Sequence, residues 1–470
     1  MADLRYCKSC FKKQQRINQL VVENERLRAR LYARERSAKE GPFGSATPSS
    51  KVPFKANALS ESQERRGGGR AGHIGHGRQS IEEAEADRVE SVEVKTQTCP
   101  DCGVRLRSEG QRKRTVTDLR PPEVIKALYR LGRKVCPKCR RRFTARAPGV
   151  LPKCLYSNAF LTHVAVQHYL WGVPLGRIEQ QTGVGYGALV QGQKRLARLL
   201  ERVIDRLVEE YRRSPVKHAD ETGWRTDGHN GYAWLFATPT ISLFRFRQSR
   251  SGAVAAEVLG KTLLPGVLVV DRYNAYNKAP VPLQYCYGHL KRDVDDLEKR
   301  FPDQSEVAAF VQSLSPTLGE AMHLRTLNLP RKEFTRRGAR IKRRIIAIVH
   351  RHAGHPAIRK VQDIFRKHSK RLYHWTRDPT IPAENNLAER DLRPLVIARK
   401  VSFGSQSEAG ARTRETLMTI LHTLKKRGSS SKVATALQTT LDRLAENRSL
   451  DPWALLFGHS PCHPLSSGQD

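Results

Sequence analysis

The segment between residues 216 and 276 constrains the fold more than any other, because strand-like runs and short turns follow one another there in a fixed order. Runs of β-branched and aromatic residues predict strands with hairpin connections. The predicted elements are strands over 216–225, 231–239 and 241–247, a helix over 253–259, and a strand over 266–271. This order predicts an α/β domain built around one sheet.

The first and the last of these strands each carry an aspartate, Asp220 and Asp271. A ribonuclease-H-like sheet places its first two metal ligands on these two strands. The strands are neighbours in that topology, so carboxylates that are distant in sequence can share a cation.

A third carboxylate is then expected from a helix later in the chain. Asn385 or Asn386 is the predicted N-cap of such a helix, and Glu389 follows in its first turn. Glu389 is preferred to Glu384, which precedes the cap and points inward less surely.

Three carboxylates suit the cleavage of a phosphodiester. The reaction activates water and stabilises a departing 3′ oxygen, and two Mg²⁺ or Mn²⁺ ions about 3.5–4 Å apart act on both oxygens. Asp220 is expected to bridge the two ions, and Asp271 and Glu389 to hold one each. Taken singly, each carboxylate is better explained as a solvated or ion-paired side chain, and only the three motifs together favour a metal site.

The charge of the chain predicts a polyanionic partner. Lys and Arg number 84 against 46 Asp and Glu, which gives a net charge of +38 at pH 7. A chain of 470 residues exceeds what one core usually holds, so several domains are expected. No apolar run approaches the roughly 20 residues of a membrane span, and the N-terminus lacks a secretory signal, so a cytoplasmic, nucleoid-associated protein is expected.

Six of the nine cysteines form three Cys-x-x-Cys pairs. Cys99, Cys102, Cys136 and Cys139 have the spacing of a zinc ribbon, with strands expected over 112–116 and 124–129. Four thiolates close the coordination shell, so a structural Zn²⁺ is predicted. The pair at Cys7 and Cys10 has no second pair nearby, and both a metal site and no role stay open.

The first 36 residues predict a short coiled coil. Ile17, Asn24 and Leu31 share heptad position a, and Leu20 and Leu27 occupy d. One amphipathic helix packed on its own chain is the alternative.

Residues 37–95 are basic, rich in glycine and without apolar periodicity, which indicates a linker. Arg70 and Arg78 lie there among glycines, and can contact DNA phosphates or serve only in a flexible tether.

Residues 152–212 predict helices with the outline of a helix-turn-helix. Gln191, Gln193, Lys194 and Arg195 on its second helix are candidates for contacts with bases and phosphates. Ordinary helical packing has the same outline.

A basic helical stretch over 331–377 holds sixteen Lys or Arg residues against Glu333 and Asp363. A helical insertion of about 291–380 is therefore expected beside the catalytic cleft. Tyr373 and Trp375 are candidates for stacking on a splayed base, although a basic face that follows the DNA backbone is the favoured interpretation.

Four motifs resemble the transposase of insertion-sequence family sixty-six, a DDE enzyme. They are Asp-Glu-Thr-Gly-Trp-Arg at 220–225, Val-Val-Asp-Arg-Tyr-Asn-Ala-Tyr at 269–276, Cys-Tyr-Gly-His-Leu-Lys-Arg at 286–292 and Asn-Asn-Leu-Ala-Glu-Arg-Asp-Leu-Arg-Pro at 385–394. The resemblance covers nearly the whole chain and implies the triad Asp220, Asp271 and Glu389.

The resemblance also implies a place beside the active site for Cys286 and His289. His289 is expected to contact the scissile phosphate or to orient a carboxylate, with a structural imidazole as the alternative. Arg390 and Arg393 flank Glu389 and are candidates for holding phosphates, or are simple surface charges.

An α/β multidomain protein is therefore predicted. Its parts are a coiled coil over 1–36, a linker over 37–95, a zinc-binding domain over 96–145, a helix-turn-helix region over 152–212, a ribonuclease-H-like DDE domain with the helical insertion over 213–410, and a helical region over 411–470. The predicted function is cleavage and strand transfer of double-stranded DNA at the terminal repeats of an insertion sequence, in a homo-oligomer and with possible accessory proteins. A zinc-containing dimeric DNA-binding regulator and a nuclease without strand transfer are the alternatives.

Overall fold

The computed structural model describes residues 146–458 without a gap, and before them only residues 16, 19–20, 23–24, 84, 104–105, 124–125, 127–135, 137, 139 and 142–144. The chain divides into two compact units, residues 53–127 and residues 1–52 with 128–470. Every strand and helix with described bounds lies in the second unit. Among the described helices, none has both the length and the apolarity needed to cross a bilayer.

A short antiparallel hairpin lies on either side of Cys139 in the chain. Strand β1 (Arg133–Val135) pairs with β2 (Arg142–Thr144), and Cys139 lies exposed and outside any disulfide in the turn between them. The strand predicted over 124–129 is wrong for its described residues, which belong to no strand. Ile125 and Leu128 are exposed there, and β-prone residues form a strand only where they gain a paired, packed neighbour.

The other N-terminal predictions fall largely outside the described residues. These include Cys7, Cys10, Cys99, Cys102 and Cys136, the predicted strand over 112–116, and Arg70 and Arg78. The described positions of the predicted coiled coil, 16, 19–20 and 23–24, are helical, and Leu20 is exposed.

Within the continuously described residues 146–458, four α-helices precede the five-stranded sheet. They are α1 (Asn158–Ala165), which continues into a π-helical turn (Val166–Leu170), α2 (Leu175–Thr182), α3 (Tyr186–Leu200) and α4 (Arg202–Arg213). The α2–α3 turn depends on Gly183, whose φ of 67° suits glycine, and the Tyr186 amide donates to Glu179 Oε1 at 2.8 Å. The predicted outline of helix, turn and helix is therefore present.

Five strands form one mixed sheet in the order β5-β4-β3-β6-β7. They are β3 (Val216–Thr226), β4 (His229–Thr238), β5 (Ile241–Arg247), β6 (Val267–Val270) and β7 (Leu283–Tyr285). The first three are antiparallel neighbours, whereas β6 runs parallel to β3 and β7 parallel to β6. Helix α5 (Gly252–Leu259) lies between β5 and β6 in the chain, so the predicted strands and helix between 216 and 271 are present.

The sheet is buried on both faces. Every residue of β4 from 233 to 238 is buried, and so is all of β6, which requires helices on both sides. Trp234, Phe236 and Phe244 are completely buried in this core. At Gly266, which has a φ of 77°, a Cβ atom would lie 1.9 Å from the Pro215 carbonyl oxygen, so only glycine allows β6 to start beside β3.

Four α-helices lie between β7 and α10 (Asn386–Ser402), the first helix after them that packs on β3 and β4. They are α6 (Tyr287–Arg300), α7 (Ser305–His323), α8 (Arg331–Val349) and α9 (Pro356–Lys367). The helical insertion predicted over about 291–380 is thus helical, and its first helix begins at Tyr287.

The last described elements are α11 (Glu408–Arg427), α12 (Val433–Glu446) and α13 (Pro452–Phe457). Helix α10 packs on β3 and β4, whereas α11 packs on β5 and on α3. These contacts bring the acidic first turn of α10 to β3, the strand that carries Asp220.

Candidate active site

Strand register brings the two aspartates together. The parallel pairing of β3 and β6 sets His218 opposite Val269; Asp220 lies two residues further along β3, and Asp271 directly follows Val270, the last residue of β6. Each carboxylate also accepts a local backbone bond: Asp220 Oδ1 from the Glu221 amide and Asp271 Oδ1 from the Tyr273 amide, both at 2.9 Å. Both side chains are therefore held at the same edge of the sheet.

The electrostatics of Asp220 are those of a crowded carboxylate. Burial raises the pKa of Asp220 well above its usual range, and the negative charges of Glu221, Asp271 and Glu389 raise it further. Like charges collected in a low-dielectric site oppose ionisation, and a bound cation removes that opposition. The donor set, three hard carboxylates, fits divalent cations such as Mg²⁺ and Mn²⁺.

Helix α10 delivers Glu389 to this site from its first turn. Asn385, the N-cap residue of α10, is completely buried, and its side chain makes no hydrogen bond to the helix. Its side-chain Nδ2 instead donates to the Ala219 carbonyl, and its Oδ1 accepts from His218 Nδ1, each at 2.9 Å. One side chain thus ties the start of α10 to β3 immediately before Asp220.

Two further side chains of α10, Asp391 and Arg399, hold the helix against the sheet and against α11. Asp391 Oδ2 accepts from Ser242 Oγ at 2.8 Å and pairs with Lys426 Nζ at 2.5 Å. Near the other end, Arg399 donates to the Gly223 carbonyl at 2.7 Å and to Thr222 Oγ1. The orientation of Glu389 therefore depends on residues of β3, β5 and α11.

Glu384, the sequence alternative to Glu389, lies apart from the carboxylate pair. Burial raises the pKa of Glu384, and Arg325 lowers it, whereas no aspartate of the pair contributes. Its Oε2 is buried without a hydrogen-bond partner among the described residues.

Cys286 and His289 lie at the start of α6, directly after β7. The Cys286 amide donates to the Val270 carbonyl at 2.8 Å, which sets this turn beside the end of β6. His289 Nδ1 is 3.9 Å from Glu389 Oε1. Burial lowers the pKa of His289, and Glu389 acts in the opposite direction. The ligand atoms of Cys286, His289 and Glu389 all lie within 4.8 Å of one another.

A second buried carboxylate, Glu221, was missed by the sequence reasoning. Arg250 NH2 pairs with Glu221 Oε1 at 2.7 Å, and the Tyr276 hydroxyl donates to Oε2 at 2.8 Å. The Arg250 guanidinium also stacks on Tyr273, 4.0 Å from the ring centre. Because its charge is matched, Glu221 reads as a structural carboxylate. The alternation of a strand also turns its side chain to the opposite face from Asp220.

The candidate DNA-contacting residues of α3 differ in their exposure and in their contacts. Gln191 is exposed and Lys194 half-buried. Arg195 donates to the carbonyls of Pro152 and Lys153. Gln193 is buried and donates to the Leu161 carbonyl at 3.2 Å, so its predicted role in base contact is wrong. Helical position alone does not show which side chains the neighbouring helix covers.

On α10, Arg390 and Arg393 are exposed beside Glu389. In the basic stretch, Trp375 is 1% exposed and donates to the Leu372 carbonyl, so its predicted stacking on a splayed base is wrong. Tyr373 is half-buried beneath Lys342, 5.0 Å from the ring centre. A large aromatic residue packs into a core more readily than it remains exposed.

Comparison with known proteins gives this arrangement a family context. The model described as "Transposase IS66 family" matches residues 153–413. Two similar proteins of Sinorhizobium fredii are the uncharacterized proteins y4jD, 25% identical over 72% of this chain and 73% of that protein, and y4qI, 25% identical over 79% and 76%. The family match spans α1 to α10, all five strands of the large sheet and the three carboxylates.

Proposed function

The chain belongs to the IS66 transposase family, and from that premise we propose that it binds the ends of an insertion sequence and catalyses metal-dependent DNA cleavage and strand transfer through Asp220, Asp271 and Glu389. Membership implies a DDE-type transposase in general terms. The resemblance inferred from the sequence motifs is thereby confirmed, while the residue roles belong to the proposal.

The observation that supports the proposal best is the electrostatic effect of the other two carboxylates on Asp220. Asp271 and Glu389 both raise the pKa of Asp220, although they come from the residue after β6 and from α10 and are far apart in sequence. A fold that collects like charges at one buried edge is unfavourable without a cation. The order of the five strands supports a ribonuclease-H-like domain as the framework of the site.

Two Mg²⁺ or Mn²⁺ ions held by these carboxylates would supply the Lewis acidity that activates water and stabilises the departing 3′ oxygen. The other residues of the site hold these carboxylates in place. Asn385 holds the start of α10 against β3, and His289 lies 3.9 Å from the Glu389 carboxylate. The freed 3′ hydroxyl then replaces water as the nucleophile on target DNA.

End recognition is proposed for the zinc-binding domain and for α3, which presents Gln191 and Lys194 on a rigid element. Arg390 and Arg393 are proposed to hold phosphates next to the cleaved bond, because they are exposed on the helix that carries Glu389. Homo-oligomerisation through the N-terminal coiled coil and help from accessory proteins complete the proposal.

The test is cleavage of element-end DNA with Mg²⁺ by Asp220→Asn, Asp271→Asn and Glu389→Gln. Each change is expected to lower the cleavage rate by more than about 10³-fold, because it removes a charged ligand while conserving shape. Binding of end DNA should stay within about 3-fold, since phosphate contacts elsewhere supply the affinity.

The matched control is Glu384→Gln, which alters a buried carboxylate outside the triad and should keep the wild-type rate. Normal cleavage by any triad variant refutes the assignment. A wild-type protein that binds end DNA but never cuts it favours the regulator. Cleavage without joining of a precut 3′ end to target DNA favours the nuclease.

A further inference from the structure

A thiol, an imidazole and a carboxylate meet on one side of the site just described. Cys286 Sγ, a ring nitrogen of His289 and an oxygen of Glu389 lie within 4.8 Å of one another. In a tetrahedral zinc site the metal–ligand distances are about 2.0–2.3 Å, so ligand atoms stand about 3.3–3.8 Å apart. A contraction of about 1 Å, within reach of side-chain rotation, converts the group into such a site.

The structure assigns to Cys286, His289 and Glu389 a binding site for a thiophilic divalent cation of the Zn²⁺ class, distinct from the all-carboxylate site for Mg²⁺. Sulfur and imidazole are ligands that zinc prefers and that magnesium does not. Three protein ligands leave a fourth position for water or for a substrate oxygen.

The surroundings of the sulfur favour a metal-bound thiolate. Cys286 is 1% exposed, and the Asn385 amide donates to its Sγ at 3.2 Å. Burial raises the pKa of the free thiol to about 12, whereas the backbone amides of His289, Asn385 and Gly288 lower it. These donors are aligned to hold negative charge on the sulfur once a cation removes the proton.

The imidazole supplies a second, independent observation. His289 Nδ1 is buried and has no hydrogen-bond partner among the described residues, although Glu389 Oε1 is 3.9 Å away. A buried polar nitrogen without a partner is costly, and a cation between the nitrogen and the carboxylate satisfies both.

Glu389 belongs to both sites, and in this respect the inference rests on the proposed function. A Zn²⁺ ion on Cys286 and His289 withdraws the Glu389 carboxylate from its place beside Asp220 and Asp271. Zinc is therefore expected to inhibit Mg²⁺-dependent cleavage. Removal of the Cys286 thiol is expected to relieve that inhibition.

The test is a titration with Co²⁺ of the full-length protein that retains a single, tightly held equivalent of Zn²⁺ per chain, in the absence of DNA, followed by thiolate-to-cobalt absorption. Wild type should bind one more equivalent of Co²⁺ in a thiolate site than Cys286→Ser, and Zn²⁺ but not Mg²⁺ should displace it. His289→Gln should weaken this site at least about 10-fold, the effect expected even of an outer-shell change.

Cys154→Ser is the matched control, because Cys154 is a partly buried cysteine away from the site. It should keep the wild-type stoichiometry. Equal Co²⁺ stoichiometry and affinity in wild type, Cys286→Ser and His289→Gln overturns the proposal. If Cys286→Ser does not fold, the His289→Gln titration decides alone.

A second measurement tests the sharing of Glu389. The Zn²⁺ concentration that halves Mg²⁺-dependent cleavage, relative to each protein's own zinc-free rate, should rise at least about 10-fold in Cys286→Ser. An unchanged concentration refutes the sharing. Cobalt binding needs no DNA, so a protein that binds Co²⁺ here but never cleaves refutes only the proposed function.

Discussion

At the scale of single residues, the candidate site depends on an amide that contacts no substrate. Asn385 bonds to Ala219, to His218 and through its backbone to Cys286 Sγ, and so joins β3, α6 and α10 at one buried point. Such outer contacts fix the direction of the carboxylates that do the chemistry.

Asn385→Ala is therefore expected to lower the cleavage rate by about 10- to 100-fold and to raise the Mg²⁺ concentration needed for half-maximal rate. The cause is a freer first turn of α10 and a buried His218 without its partner. Cleavage rates measured against Mg²⁺ concentration, with end-DNA affinity alongside, check this.

Asn386→Ala is the matched control, because Asn386 is exposed and begins the same helix. It should behave as wild type. A change in DNA affinity with an unaltered Mg²⁺ dependence would contradict the positioning role.

At the scale of elements, the contact between α11 and the π-helical turn after α1 is a buried polar junction. His422 Nε2 donates to the Tyr169 carbonyl at 3.2 Å, and Arg414 bonds to His168 and stacks on Trp224, 5.2 Å from the ring centre. Trp224 belongs to the strand of Asp220, so the junction connects the π-helical turn and α11 to β3.

This junction predicts an acid-sensitive fold. Burial lowers the pKa of His422 from 6.5 to about 4, so the unfolded chain binds its proton first as the pH falls. The contribution of the neutral His422 side chain to the free energy of unfolding is present above about pH 6.5 and is lost progressively towards pH 4. Between pH 6.5 and 5 the loss is about 2 kcal/mol from this residue.

His422→Gln keeps a donor for Tyr169 and should remove this part of the pH dependence. Urea unfolding at pH 7 and at pH 5 measures it. The exposed His350→Gln is the control and should retain the wild-type difference. An equal difference in all three proteins contradicts the prediction.

The hairpin β1–β2 lies in the predicted zinc-binding domain. Two strands of three residues are not stable alone. The hairpin should therefore fold only when a metal is bound at Cys99, Cys102, Cys136 and Cys139. Purified protein should contain one tightly held zinc per chain, and Cys139→Ser should lose it and become protease-sensitive over about 96–145. Elemental analysis and limited proteolysis check this, with Cys154→Ser as the unaffected control.

At the scale of the whole molecule, charge dominates the expected behaviour on DNA. The net charge is +38, and α8 exposes Arg336, Arg340 and Arg343 along one face at helical spacing. Glu333 pairs with Arg336, so Arg340 and Arg343 are the residues of this face taken as phosphate contacts.

Affinity for DNA should therefore fall linearly with salt on logarithmic axes, with a slope of about −0.9 per phosphate contacted. Replacing Arg340 and Arg343 with Ala should make the slope shallower by up to about 1.8 and weaken end and random DNA equally. Binding measured between low and physiological salt checks this. Arg206→Ala, on α4 and paired with Asp451, is the control and should leave the slope unchanged.

Much of this architecture could be predicted because the signals are local. The strand runs between 216 and 271, the helix before β6 and the N-cap position of α10 follow from periodicity and turn residues in short windows. The motifs around Asp220, Asp271 and Glu389 carried the family resemblance, and the charge predicted the polyanionic partner.

Tertiary structure alone decided which side chains meet. Strand β7 has only three residues and too little periodicity to predict, yet it sets Cys286 and His289 beside β6. Gln193 and Trp375 are polar or aromatic residues in basic segments, and only the packing of their neighbours buries them. By itself the sequence determined the elements and the carboxylate candidates, because periodicity and turn propensity act over a few residues. Register, burial and the contacts of Asn385 were decided only in three dimensions, because they join parts of the chain that are distant in sequence.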